Sequence, residues 1–310
     1  MSDSPAADID QFATLRSGVT ICFRDAGHKA DPVILLIAGL GEDLTFWTRP
    51  VVDALVAFGF RVVSIDNRDV GRSTFAETPP PAVWRQVLAR PRRDGYTLAD
   101  MAQDAVGVLD HLGIEQVHLV GRSMGGMIAQ TIAAVEPGRV LSLTSIYSTT
   151  GSRKVGQPAQ STIRLLMGPD ARNRTDAVRA HLRITRHIAG KDYPIDDAAE
   201  AAIAAQAWDR SAGDLAAGSA RQIQAIQLSG DRTALLARIT APTLVINGDR
   251  DLMVAGTGGA ATVRAIPKAQ HVVIPGMGHH MPEPLVETIT EYIAQHAARV
   301  NEGGKHVEIS

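Results

Sequence analysis

Short apolar segments alternate with longer amphipathic segments along most of this chain, and this alternation constrains its fold more than any other feature. Six of the short segments are apolar at nearly every position and end at turn residues, which suits central parallel strands that helices cover on both faces. They are PVILLIAG (32–39), RVVSID (61–66), QVHLVG (116–121), VLSLTSIYS (140–148), PTLVING (242–248) and HVVIPG (271–276). The pattern predicts an α/β fold with an open, mostly parallel sheet flanked by helices.

The segments between these strands indicate helices and one large insertion. Residues 98–112 and 283–300 carry apolar side chains near a 3.6-residue spacing, as amphipathic helices do. Residues 149–232 contain helical patterns rich in Ala, Arg and Asp but no convincing strand. We therefore predict an insertion that forms a helical cap over one end of the sheet. The predicted organisation is a core of residues 1–148 and 233–300, a cap of residues 149–232, and a disordered tail of residues 301–310.

The charge balance argues against several classes of partner. The 310-residue chain has a net charge of -2 and a pI of about 6.6, which indicates neither nucleic-acid binding nor attraction to an anionic membrane. It begins with an acidic, polar segment and has no run of about 18 apolar residues. We therefore expect no signal peptide, no membrane span and a cytoplasmic protein. The single cysteine, Cys22, lies in an apolar segment and is expected to be a small buried residue.

The segment HLVGRSMGGMIAQ (118–130) places Ser123 between Gly121 and Gly125, after a predicted strand and before a predicted helix. A strand that turns directly into a helix holds the residue at the turn in a strained, positive-φ conformation and needs small neighbours. The Ser123 hydroxyl would then project above the sheet edge, near the free N–H groups of the helix start. These features predict Ser123 as a catalytic nucleophile and the Met124 N–H as a donor to an oxyanion.

A nucleophilic serine needs a general base and a carboxylate that orients this base. His279 follows the last apolar segment, so we expect it at the carboxyl end of the strands, where open α/β sheets have their active sites. His280 is the alternative base. Asp249 and Asp251 both follow the fifth apolar segment and are the candidate acids. The resulting chain order of Ser, Asp and His is typical of hydrolases with such a turn.

A second oxyanion donor is expected in the glycine-bearing loop AGLG (38–41), with the Leu40 N–H as the candidate. Among the other histidines, His118 lies inside a predicted strand and is expected to be a satisfied core residue, whereas His296 is expected to be solvated. The sequence contains no H-E-x-x-H motif and no cysteine pair. It therefore predicts no metal site, and the chemistry above requires no cofactor.

Four motifs carry a family resemblance: DNRDVGRS (66–73), VGRSMGG (120–126), GDRDLMV (248–254) and PGMGH (275–279). With them the chain resembles the α/β-hydrolase superfamily over nearly its whole length, and most closely aclacinomycin methylesterase-like serine esterases. The resemblance implies an eight-stranded, mostly parallel sheet with a helical cap between strands six and seven. By motif position it implies Ser123 as nucleophile, His279 as base, and Asp251 as acid, because the family's acid is the last residue of G-x-x-D. It places the oxyanion donors at Leu40 and Met124.

Two further interpretations concern residues around these motifs. Arg122, just before the proposed nucleophile, is a charge where many members of the superfamily carry His or an apolar residue. A buried charge without a partner is costly, and we expect Asp66 to pair with Arg122. The DNRDVGRS segment is interpreted as structural, with ion pairs and caps that brace a loop at a strand end.

Together these features predict a serine esterase that cleaves a carboxylic ester of a small organic substrate through an acyl-enzyme intermediate. A carbon–carbon bond hydrolase, a lactonase or another acyl-transfer enzyme could keep the same three residues. A non-catalytic ligand-binding module is a further alternative from a different class. The sequence leaves the natural substrate and the oligomeric state open.

Overall fold

A computed structural model describes residues 9–301. Of the tail expected at residues 301–310, Asn301 is helical, and residues 302–310 lie outside the described residues. Eight strands form one sheet in the order β1-β2-β4-β3-β5-β6-β7-β8. Strands β1 and β4 pair with β2 in antiparallel fashion, and all other pairs are parallel. The predicted mostly parallel sheet is therefore confirmed. The strands are β1 (Gln11–Thr14), β2 (Thr20–Ala26), β3 (Val33–Ile37), β4 (Arg61–Ile65), β5 (Val117–Arg122), β6 (Val140–Ile146), β7 (Thr243–Gly248) and β8 (Gln270–Ile274).

Helices follow most of the strands and cover both faces of the sheet. Within the described range they are α1 (Arg49–Ala57), α2 (Val83–Val87), α3 (Leu98–His111), α4 (Met124–Val135), α5 (Gln160–Leu166), α6 (Arg174–Ile188), α7 (Asp197–Arg210), α8 (Leu215–Ser229), α9 (Thr233–Leu236), α10 (Thr257–Ala265) and α11 (Glu283–Asn301). Short 3-10 helices lie at Leu44–Phe46 and Pro137–Arg139.

The alternation of side chains along β3 shows how the two apolar cores form. Leu35 and Ile37 point to the face that α3 and α4 cover, and they belong to one core cluster. Ile34 and Leu36 point to the other face, where α1 and α11 supply the second cluster. All five β3 residues are buried, because a strand that is covered on both sides has no solvated face.

One strand prediction is wrong in its position. The segment at 271–276 was expected to be a central strand with two covered faces, but β8 lies at the edge of the sheet. Its side chains are largely exposed, and Val273 is 49% accessible. An edge strand has a neighbour on one side only, so apolar composition alone could not distinguish it from a central strand.

Residues 149–232 contain helices α5 to α8, and no strand is present in this part of the described chain. The insertion joins β6 to the segment before β7 and contacts the loops that follow β3 and β4. Arg210 of α7 bonds to Asp43 and Asp66, and Arg221 of α8 bonds to Asp69. These loops lie at the carboxyl ends of parallel strands, so the inserted helices lie beside that edge of the sheet.

Two properties of the described residues concern membranes and metal ions. None of the helices between residues 9 and 301 combines the length and the apolar composition that a membrane span requires. In the same range, no group of three or more His, Cys, Asp or Glu side chains is arranged to hold a metal ion.

Candidate active site

Ser123 stands at a sharp turn between β5 and α4. Its backbone has φ 52° and ψ -120°, which is a rare conformation for a residue with a side chain. A Cβ on Gly121 would come within 2.2 Å of the Gly125 carbonyl oxygen, and a Cβ on Gly125 would come within 2.1 Å of the Ile37 carbonyl oxygen. Both positions therefore require glycine. The absence of these two side chains lets α4 begin directly above the ends of β3 and β5.

Three of the sequence-predicted residues come together at this turn. The Ser123 hydroxyl oxygen lies 2.9 Å from His279 Nε2, and His279 Nδ1 lies 2.7 Å from Asp251 Oδ2. An ionised carboxylate can only accept, so the Nδ1 proton of His279 faces Asp251 and Nε2 is left to accept from the serine hydroxyl. The Asp251 side chain is fully buried and that of His279 is 8% exposed.

The neighbouring alternatives have other partners. His280 Nε2 lies 3.0 Å from Glu200 of α7, and Asp249 accepts the Gly276 N–H at 2.7 Å. His279 and Asp251 therefore bond to each other, whereas His280 and Asp249 each bond to a residue outside this group.

The β3 loop (residues 38–42) passes directly beside Ser123. A Cβ on Gly39 would lie 3.3 Å from the Ser123 Cβ, so this backbone is in contact with the serine. Leu40, the expected oxyanion donor, lies in this loop, and Met124 is the first residue of α4. Among residues 9–301 no acceptor is bonded to either N–H. Both N–H groups are therefore available to donate to a ligand beside Ser123.

The prediction that Arg122 pairs with Asp66 is wrong. Its guanidinium Nε bonds at 2.8 Å to Glu42 of the β3 loop, and its guanidinium carbon lies 5.7 Å and 5.3 Å from the ring centroids of Phe46 and Trp47. Burial opposes the charge, but Glu42 and Tyr147 together more than offset burial and raise the pKa of Arg122. Asp66 is instead occupied by Arg210 and by two backbone N–H groups. Glu42 is closer because the β3 loop folds over the end of β5.

The loop that carries His279 is held by the inserted helices. The His279 N–H donates to the Ile188 carbonyl at 2.7 Å, and the Gly278 N–H donates to the Ala189 carbonyl at 3.0 Å. The ring of Tyr147, which follows β6 at φ 36°, lies 4.6 Å from the imidazole centroid. The position of the imidazole thus depends on both the core and the insertion.

A buried glutamate joins the insertion to the histidine loop (residues 275–282, which carry His279 and His280), and sequence reasoning missed it. Glu200 of α7 bonds to His181 at 2.7 Å and to His280 at 3.0 Å. Burial raises the pKa of Glu200, but the two histidines together have the larger effect, and their hydrogen bonds and charges lower the pKa to about 2. The three residues lie on separate segments, and no spacing in the sequence indicates that they meet.

The DNRDVGRS segment forms the bracing contacts that were expected of it. Arg68 bonds to Asp104 of α3 with two guanidinium nitrogens, and Asp69, at φ 70°, accepts from Arg221. The Ser73 hydroxyl bonds to the Asp66 carbonyl. These residues hold the loop after β4 between the core and α8.

The sheet order, the strained serine between a strand and a helix, and the adjacent imidazole and carboxylate define a hydrolase-type α/β architecture. The family model described as alpha/beta hydrolase fold matches residues 32–283. The chain therefore belongs to the α/β-hydrolase fold family, which confirms the resemblance seen in the motifs.

Relatives of known name have different activities. The chain is 28% identical to rhodomycin D methylesterase DauP of Streptomyces sp. (strain C5), over 90% of this chain and 95% of that protein. It is 30% identical to the 2-hydroxy-6-oxononadienedioate/2-hydroxy-6-oxononatrienedioate hydrolase of Cupriavidus pinatubonensis, over 88% and 90% of the two chains. A shorter match, 37% identical and covering 39% of each chain, is to RutD of Variovorax paradoxus, which is named as a carbamate hydrolase.

Among solved structures, the enol-lactonase of Burkholderia xenovorans LB400 has a TM-score of 0.69 at 23% identity. The match covers 93% of this chain and all of that one. The likeness concerns the fold alone. These comparisons support a hydrolase, and the relatives span several kinds of scissile bond.

Proposed function

We propose that this protein is a serine hydrolase that cleaves a carboxylic ester of a small organic molecule through an acyl-enzyme intermediate. The observation that carries the proposal is the hydrogen-bonded chain from Ser123 through His279 to Asp251. Such a chain is the arrangement by which a base activates a hydroxyl nucleophile. The similarity to a methylesterase over nearly the whole length supports an ester as the substrate.

In the proposed mechanism, His279 Nε2 takes the proton of Ser123 as its oxygen attacks the ester carbonyl. Asp251 holds the imidazole by Nδ1 and stabilises the imidazolium that forms. The N–H groups of Leu40 and Met124 donate to the oxyanion of the tetrahedral intermediate. His279 then returns the proton to the leaving alcohol. A water molecule, deprotonated by the same nitrogen, attacks the acyl-enzyme, and the acid leaves as Ser123 regains its proton.

The insertion of residues 149–232 has a place in this proposal as a helical cap over the site. Its contacts with the β3 loop, with the loop after β4 and with the loop that carries His279 support this assignment. A cap in this position would supply the walls that select the acyl and alcohol groups. The substrate of this chain is therefore expected to differ from those of relatives whose caps differ.

A carbon–carbon bond hydrolase is the second candidate, because the relative named for such a reaction is 30% identical over 88% of this chain. Attack by the same serine on a ketone carbonyl of a 2-hydroxy-6-oxodienoate would use the same base and the same oxyanion donors. The two candidates differ in the leaving group. An ester releases an alcohol, whereas the second substrate releases a stabilised carbanion that must be protonated.

The test is hydrolysis of p-nitrophenyl esters of increasing acyl length by the wild type and by Ser123→Ala. A serine esterase in which deacylation is slower than acylation should release a burst of p-nitrophenol equal to the enzyme concentration. The variant should lose at least about 10⁴-fold in turnover. Turnover of 2-hydroxy-6-oxodienoates without ester turnover would favour the second candidate. No turnover of either, with no labelling of Ser123 by a serine-reactive phosphonate, would indicate a binding module.

A further inference from the structure

The two N–H groups on either side of Leu40 are both bonded to side chains. The Gly39 N–H donates to Glu42 Oε2 at 2.8 Å, and the Gly41 N–H donates to Gln222 Oε1 at 2.8 Å. The Leu40 N–H between them has no acceptor among residues 9–301. The β3 loop is thus fixed through alternate peptide groups, and the central one is left for a ligand.

The first of these side chains also links the β3 loop to the nucleophile turn. Glu42 Oε2 accepts from Arg122 Nε at 2.8 Å, and this same oxygen accepts from the Gly39 N–H. Arg122 is covalently bonded to Ser123, and its side chain is 6% exposed. One carboxylate oxygen therefore fixes the distance between the loop that carries Leu40 and the turn that carries the serine.

The second side chain comes from the inserted helices. Gln222 lies on α8, is fully buried, and donates from its Nε2 to the Arg68 carbonyl at 2.8 Å. The amide has one bond at its oxygen and one at its nitrogen, so its orientation is set. The β3 loop is held to the core by the pair of Glu42 with Arg122 and to the insertion by Gln222.

We propose that Glu42, paired with Arg122, and Gln222 are positioning residues that hold the Leu40 N–H at the oxyanion. This inference rests on the proposed function, in which that N–H is an oxyanion donor. Neither side chain touches the substrate in this proposal. Glu42 and Gln222 act through the backbone of the β3 loop, and we call these two side chains the loop clamp.

The loop clamp should affect turnover far more than substrate binding. A donor aimed at the oxyanion stabilises the transition state and contributes little to the bound ester. A displacement of about 1 Å at such a donor costs about 100-fold in rate. We therefore expect kcat to fall and KM to change little when either contact is removed.

The experiment compares kcat and KM of Glu42→Met, Glu42→Gln and Gln222→Met on the preferred p-nitrophenyl ester. The two Met variants should lose about 100-fold in kcat, with KM within about threefold. Glu42→Gln keeps an acceptor for the Gly39 N–H and should recover about tenfold of that loss. A boronic acid that mimics the tetrahedral intermediate should bind more weakly by the same factors as kcat.

Asp25→Asn is the matched control. Asp25 pairs with Arg61 through two hydrogen bonds, and the pair is buried at the opposite edge of the sheet, where β4 begins. Its replacement removes the carboxylate partner of a buried arginine, as Glu42→Gln does, although the Asp25 side chain is more buried than that of Glu42. The control should lose at least as much thermal stability as Glu42→Gln and keep kcat within about threefold of the wild type.

The outcomes distinguish a failure of the loop clamp from a failure of the proposed function. Folded Met variants with kcat equal to that of Asp25→Asn, or with a loss confined to KM, would overturn the loop clamp. If Glu42→Met does not fold, Gln222→Met and Glu42→Gln decide by the same criteria. A Ser123→Ala variant that keeps full activity would refute the proposed function and the clamp with it. An inactive Ser123→Ala beside fully active clamp variants would refute the clamp alone.

Discussion

At the scale of single residues, the two aspartates after β7 are two positions apart but bond to different groups. Asp251 accepts with Oδ1 from the Met253 and Val254 N–H groups, each at 2.7 Å, and its other oxygen faces His279. In Asp251→Asn the amide oxygen keeps the backbone bonds, so the NH₂ group is directed at the imidazole. Nδ1 must then accept, the ring proton moves to Nε2, and Nε2 can no longer take a proton from Ser123.

We therefore predict that Asp251→Asn lowers kcat for ester hydrolysis by about 10⁴-fold at neutral pH while the fold is retained. Steady-state kinetics with circular dichroism of the same sample would measure both effects. Asp249→Asn is the matched control, because an amide oxygen can still accept the Gly276 N–H, and its kcat should stay within about threefold of the wild type. The reverse pattern would show that Asp249 is the acid.

At the scale of elements, an arginine of α7 joins this helix to the core through three ion pairs. Arg210 bonds to Asp43 at 2.6 Å, to Asp10 at 3.0 Å and to Asp66 at 3.3 Å. All four side chains are at most 7% exposed. Burial opposes the guanidinium charge, but the carboxylates outweigh this effect and raise the pKa of Arg210. Removing the arginine would leave the buried carboxylates of Asp43 and Asp66 without their cation, whereas Asp10 would keep its pairs with Arg24 and Arg72.

Arg210→Met should therefore lower the free energy of unfolding by about 3–5 kcal/mol, the usual cost of breaking a buried ion pair from one side. Denaturation in urea would measure this change. Arg174 provides the control within the insertion, because its pair with Asp209 is more than half exposed on both sides. Arg174→Ala should cost less than about 1 kcal/mol. Equal effects of the two substitutions would show that Arg210 does not anchor α7.

The elements also show what sequence reasoning could recover. Apolar segments predicted β3, β4, β5, β6 and β7 to within about two residues at either end, because strands covered on both faces have a local signature. Strand β1 (Gln11–Thr14) was missed because only one of its four residues, Ala13, is buried. The exposed edge position of β8 was missed because position in a sheet depends on pairing rather than on composition.

At the scale of the whole molecule, some parts of the site have a local sequence signature and others depend on how distant segments pack. Ser123, Asp251 and His279 could be predicted because each follows a recognisable strand, and parallel strands bring their carboxyl ends together. Three contacts around the site join residues that are far apart in the sequence. Glu42 and Arg122 are 80 positions apart, Gly41 and Gln222 are 181 apart, and Glu200 and His280 are 80 apart. Those contacts depend on how the loops and the inserted helices pack, and no local pattern encodes that packing.

The stability of the whole molecule should depend on pH through a histidine that was expected to be solvated. His296 of α11 is instead 7% exposed, and its Nε2 lies 3.2 Å from the Pro242 carbonyl. Burial, with smaller contributions from His118 and Arg299, lowers the pKa of His296 to about 4. The unfolded chain takes up this proton near pH 6.5, whereas the folded protein does not until about pH 4. Stability from this group is therefore complete above pH 6.5 and is lost as the pH falls towards 4.

Between pH 7 and pH 5 this one histidine should reduce the free energy of unfolding by about 2 kcal/mol. His296→Gln keeps a donor for the Pro242 carbonyl but has no proton to take up, so its stability should fall by that much less over the same range. Urea denaturation at several pH values would measure the difference.

Glu200, whose pKa is lowered to about 2, contributes a loss of stability only below about pH 4.5 and so does not interfere. His28→Gln, at an exposed site, is the control and should follow the wild type. If His296→Gln also follows the wild type, the folded protein takes up this proton as readily as the unfolded chain, and acid instability must arise elsewhere.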